Sequence, residues 1–162
     1  MTATTTMTDA LLTRKSHIRS IFLTLTGSLL ITILARVAIP LPFSPVPFSG
    51  QTLAVLLLGA LLGSRLGAMS AALYLFQGAI GLPVFVYGAG PAYLFGPTGG
   101  YIFGFVAAAY ITGWLAERGW DRKVHTTAAA MVAGSAAIYI AGLAQLSLYT
   151  GASNALAAGF YP

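Results

Sequence analysis

QTLAVLLLGALLGSRLGAMSAALYLFQGAI, residues 51 to 80, holds a single charged residue, Arg65. It divides at Ser64 and Arg65 into two apolar runs, 51 to 63 and 66 to 80, of 13 and 15 residues. At about 1.5 Å per residue each run reaches only about 20 Å, whereas the hydrocarbon layer of a membrane is about 30 Å thick. Arg65 pins both runs at one surface, so both stop short of the other. The missing height has to be filled by other polypeptide. The chain supplies it as two uncharged connections, IPLPFSPVPFSG (39 to 50), with four prolines, and GLPVFVYGAGPAYLFGPT (81 to 98), rich in glycine and aromatics. Plain turns take about four to six residues; these have twelve and eighteen. Irregular backbone at membrane depth is tolerated where protein shields it or where it lines a cavity. The pattern therefore predicts a cup that opens outward and is lidded by the two loops.

Composition agrees that the chain sits in lipid. Hydrophobic residues make up 57% and charged residues 7%, against about a quarter charged in a soluble domain. Three more apolar segments run from about 18 to 38, 99 to 116 and 126 to 149, which predicts an all-α helix bundle with five transmembrane helices. Residues 1–17, polar and threonine-rich at their start, read as a flexible tail, and 18–162 as a single transmembrane domain. Of the eight lysines and arginines, Arg14, Lys15, Arg19, Arg65, Arg118, Arg122 and Lys123 fall on one side and only Arg36 on the other. Positive charge marks the cytoplasmic side, so the N-terminus is expected inside and both long loops outside. The net charge of +5 is thus a matter of topology and not of nucleic-acid binding. Trp114 and Trp120 bracket the inner interface of the fourth segment.

GPTGGYIFGF, 96 to 105, is glycine-rich but is no phosphate cradle. A nucleotide P-loop needs a lysine and a hydroxyl after its last glycine, and no lysine follows here until Lys123. Pro97 and Thr98 instead mark a helix start. The expected lining of the cup is aromatic: Phe43, Phe48, Phe85, Tyr87, Tyr93, Phe95 and Tyr101, with Gln51, Gln77 and Gln145 near the outer ends of their helices. Taken singly, each aromatic is better accounted for by interfacial packing, and each glutamine also by capping a helix end or bonding between helices. Arg36 either snorkels to head groups or meets an anionic carboxylate.

Glu117, Asp121, Asp9, His17 and His125 all lie outside the membrane region, so no acid, base or metal cluster falls within it. An intramembrane enzyme or a proton-coupled pump needs one. The chain reads as a binder and not an enzyme, with no cofactor, and any energised transport falls to a partner. Small residues recur every fourth position at Gly59, Gly63, Gly67 and Ala71, at Gly100, Gly104, Ala108 and Thr112, and at Ala129, Ala133, Ala137 and Ala141. Such ladders let helices approach closely. The looser stripe Ser28, Thr32 and Ala35 is the one assigned to an outside partner. A small channel or facilitator is the rival reading, which the glycine, alanine and leucine of the inner half disfavour.

QTLAVLLLGALLGSRLGA (51 to 68), GLPVF (81 to 85) and GPTGGYIFGF (96 to 105) resemble the successive signatures of the BioY family, the biotin-capturing S components of bacterial energy-coupling-factor (ECF) vitamin transporters. The resemblance covers about residues 18 to 161. It implies a six-helix protein of the bacterial plasma membrane that takes biotin from outside. It also implies a transmembrane coupling protein and paired ATP-binding-cassette ATPases that drive delivery inward. The proline loop and the GLPVF loop match the family's binding-site covers, and an S component for another vitamin is the near alternative. After the match to ALAAGFYP (155 to 162) the family continues into P-G-D-x-x-K on a sixth helix, whose aspartate and lysine are expected to bond the ligand. The present sequence stops at Pro162, so five crossings are expected within it.

Overall fold

The computed structural model describes residues 17–40, 42, 46–151 and 154–155. Phe43 and the tail before His17 lie outside the described residues. The order of elements is α1 (His17–Ala35), β1 (Ala38–Ile39), β2 (Phe48–Ser49), α2 (Gln51–Ala79), α3 (Pro91–Leu94), α4 (Gly99–Ala116), a short 3-10 turn (Trp120–Arg122) and α5 (Val124–Thr150).

α2 decides the architecture. By length and composition α1, α2, α4 and α5 are each apolar enough to cross a membrane. The 29 residues of α2, however, are not one crossing. Its backbone breaks at Gly63, with φ 83° and ψ 176°. A straight helix would carry Gln51 and Tyr74 about 35 Å apart, yet the Gln51 amide bonds the Tyr74 hydroxyl. Likewise a Cβ placed on Gly67 would lie 2.9 Å from the Cα of Gly59. The chain therefore doubles back, and its arms, 51–62 and 64–79, run antiparallel. At about 1.5 Å per residue they reach about 18 and 24 Å, close to the two stunted segments expected.

The break needs support because it exposes the first peptide groups of the second arm. Glu117, at the end of α4, provides it: the Ser64 amide donates to Oε1 at 2.7 Å. The Ser64 hydroxyl lies 2.8 Å from the same oxygen. A carboxylate at a helix start meets both unsatisfied N–H groups and the favourable end of the helix dipole. Gly113 lets α4 come this close, since a Cβ there would fall 2.5 Å from the Gly63 carbonyl carbon.

The remaining helices are laid side by side, α1 on α2, α2 on α4 and α4 on α5. Gly59 rests on Ala109 of α4, and Gly104 on Ile138 of α5, where an added Cβ would stand 2.8 Å from the Ile138 Cα. The α4 ladder of Gly100, Gly104, Ala108 and Thr112 is buried as expected. On α5 the buried stripe is Ala130, Gly134, Ile138, Gly142 and Leu146, one residue around from the expected alanines. Ile21, Phe22, Leu25, Leu29 and Ile33 of α1 face outward, as lipid-facing side chains do.

Between α1 and α2 the prolines at 40, 42, 45 and 47 deny the chain a helix. What forms instead is a two-residue antiparallel ladder, Ala38 opposite Ser49 and Ile39 opposite Phe48. The hairpin tip, Arg65, Arg118, Arg122 and Lys123 share one end of the bundle; this ladder, Arg36 and the 81–98 loop share the other. The Arg118 guanidinium lies 3.1 Å over the Trp114 ring.

Gly63→Ala forces a Cβ into a conformation that glycine almost alone adopts. Expected is a loss of about 1–3 kcal/mol, read as a lowered thermal midpoint of the purified protein in detergent. The control is Ala68→Gly, a change of the same two residue types within the helical second arm, expected to cost about 1 kcal/mol or less.

Candidate functional site

At the loop end of the bundle the two loops and the helix ends beneath them line a partly open cavity of about 50 Å³. Val46, Pro47 and Val86 roof it, and Ile102, Phe105 and Ile138 form its apolar floor. Its polar groups are Ser49, Gln51, Thr52, Tyr93, Thr98 and Tyr101. All are neutral. The space exceeds the roughly 10–15 Å³ that one water needs but falls far below the ~300–1,000 Å³ of ligand pockets.

Gln51 is 5% exposed and stands at the start of α2, where Gly50 closes the first loop. The Ser49 hydroxyl donates to its Oε1 at 3.1 Å. Its Nε2 donates to the Tyr74 hydroxyl, which in turn donates to the Val84 carbonyl at 3.2 Å. Phe85, fully buried, lies edge-on to Tyr74 at 5.5 Å and stacks on Tyr93 at 5.0 Å. Its ring fits against Gly78, whose missing Cβ leaves the room. Phe85 thus wedges the second lid and holds Tyr93 at the cavity wall. Tyr101 enters from the first turn of α4, edge-on to Tyr139 at 6.1 Å, with its ring against Gly142.

The other expected ligands sit elsewhere. Gln145 of α5 donates from Nε2 to the carbonyls of Leu94 at 2.8 Å and Gly96 at 2.7 Å, anchoring the second lid. Gln77 accepts from Ser28 at 2.6 Å, a bond between α2 and α1. Arg36 donates to the Pro83 carbonyl and so ties the end of α1 to the second lid; it meets a peptide oxygen in place of a carboxylate. Tyr87 is 60% exposed and lies away from the cavity. The sequence assigns the stripe Ser28, Thr32 and Ala35 to a partner, and here the structure differs. Ser28 and Ala35 are fully buried inside this chain, and Thr32 bonds the Ser28 carbonyl at 3.0 Å.

The glycines of GPTGGYIFGF serve close approach. Gly99 backs onto Leu94 and Gln145, and Gly100 onto Ala141. Sequence reasoning missed Ser49, Thr52, Thr98, Ile138 and Tyr74. For Tyr74 a signal existed: a hairpin folded at Gly63 brings Gln51 opposite the residues just after 73.

The BioY family model matches residues 5–162. This chain belongs to the BioY family. Among BioY relatives, the biotin transporter BioY of Thermotoga maritima is 40% identical over 126 residues, 76% of this chain and 73% of the relative. The biotin transporter BioY of Rhizobium etli is 38% identical over 121 residues, 70% of this chain and 65% of its own. The crystal structure at 2.1 Å of the S-component for biotin from an ECF-type ABC transporter superposes with a TM-score of 0.75 at 25% identity, covering 87% of this chain and 78% of that one. BioY membership places the chain among multi-pass membrane transport proteins and not among enzymes.

Gln145→Leu removes two of the second lid's anchors, the bonds to Leu94 and Gly96. Each lost bond is worth about 0.5–1.5 kcal/mol, so the expected result is a modest fall in thermal midpoint with faster proteolytic nicking between residues 81 and 98, checked by limited digestion and mass spectrometry.

Proposed function

We propose that this chain is a biotin-capturing S component of an ECF transporter in a bacterial plasma membrane. It takes biotin from the outer side into the cavity under loops 39–50 and 81–98. Gln51, Tyr93 and Tyr101 contact the vitamin; Phe85, Gln145 and Arg36 hold the lid that covers it. A transmembrane coupling protein and ATP-binding-cassette ATPases supply the energy for delivery inward. The observation that carries the reading is the neutral, aromatic cavity at the loop end of the bundle, above two helical arms too short to reach that surface, in a chain whose named relatives transport biotin. The N-terminus is cytoplasmic on this reading. Arg65, Arg118, Arg122 and Lys123 at the hairpin end support that orientation by the rule that basic residues stay inside.

Labelled biotin is expected to bind the purified protein and to resist competition by thiamin and riboflavin. Tyr101→Ala is expected to weaken binding about tenfold or more, through loss of an aromatic wall. Absence of biotin binding by the intact protein in lipid nanodiscs would overturn the reading.

A further inference from the structure

Gln51 is the point where the two lids meet. The relay Ser49, Gln51, Tyr74, Val84 begins in the first lid, passes the cavity wall and ends in the second. Its direction is fixed by its last member. A peptide carbonyl only accepts, so the Tyr74 proton is committed to Val84 and the Tyr74 oxygen must accept. The group it accepts from is therefore the NH₂ of Gln51, and the amide oxygen is turned toward the Ser49 hydroxyl. A flipped amide would set oxygen against oxygen at Tyr74. A primary amide has two N–H donors and two oxygen lone pairs, and the relay uses one of each. One donor and one acceptor remain on a planar group that lines the cavity.

We propose that Tyr74, fully buried and outside the cavity lining, is a positioning residue. It sets the Gln51 amide to meet a ligand edge bearing both N–H and C=O, as a cyclic urea does, and it couples the two lids through that amide. The ligand part rests on the biotin reading above, because the cyclic urea is the edge that biotin offers. The lid coupling stands without it.

Tyr74→Phe tests both parts, since it keeps the ring that packs on Phe85 and removes only the hydroxyl. In ligand-free protein, hydrogen exchange is expected to rise several-fold in peptides covering 46–52 and also 82–86, with α5 unchanged. Gln51→Leu is expected to reproduce that pattern. With ligand, Tyr74→Phe is expected to weaken biotin about tenfold and to reduce discrimination against the analogue whose ureido oxygen is replaced by sulfur. Faster exchange confined to 82–86, or equal loss of biotin and the sulfur analogue, overturns the proposal and leaves Tyr74 a packing residue. If the wild-type protein takes no biotin, the capture reading falls, and the exchange pattern still decides whether the lids are coupled.

Discussion

Peptide groups at membrane depth find no water, so each irregular stretch needs partners from protein. The two short arms of α2 create that demand at the loop end, and the second lid answers it with its own turns, such as Val84 to Leu82 and Gly96 to Tyr93, and with side chains from the helices. The carbonyl of Pro83 accepts from Arg36, that of Val84 from Tyr74, that of Phe95 from Tyr149, and those of Leu94 and Gly96 from Gln145. These donors come from α2, α5 and the end of α1, so the walls of the bundle hold the lid alongside its own backbone turns. At the other end Glu117 performs the same service for the break at Gly63.

The walls stand close because lipid gives helices little reason to associate beyond contact itself. Dispersion between backbones replaces the hydrophobic drive of water. Gly59, Gly67, Gly104 and Gly113 are the points where two backbones touch. Nearer the lids the same device admits rings: Gly78 receives Phe85 and Gly142 receives Tyr101. Glycine placement thus fixes the spacing of the helices at depth and the seats of the aromatics at the cavity.

The lengths of the two α2 arms and the extent of the second loop were legible in the sequence, since both follow from counting apolar residues between Gln51 and Thr98. Their consequence, a cavity at the loop end, followed from height alone. Helix rotation was less legible. Ser28, Thr32 and Ala35 are small and periodic, which says that something packs closely on them without saying whether it is another chain or α2. The α5 ladder erred by one residue for a related reason: Ala129 and Ala130 both begin a plausible series, and only contact with Thr112 and Leu56 selects Gly134. The two-residue ladder at Ala38 and Ser49 left no signal, because four prolines obscure any alternation.

The three glutamines show what composition cannot assign. Each sits near the loop end of its helix, and no two do the same thing there. Gln51 lines the cavity, Gln77 joins α1 to α2, and Gln145 holds the second lid from beneath. A charged side chain in these positions would carry a large desolvation cost. An amide is neutral and carries both donor and acceptor, so it can satisfy carbonyls, hydroxyls or a guest without a counter-ion. A cavity lined in this way offers no long-range attraction of its own. On the proposed reading its selectivity comes from fit and from the direction in which the Gln51 amide is held, so the groups behind the cavity wall matter as much as those that line it.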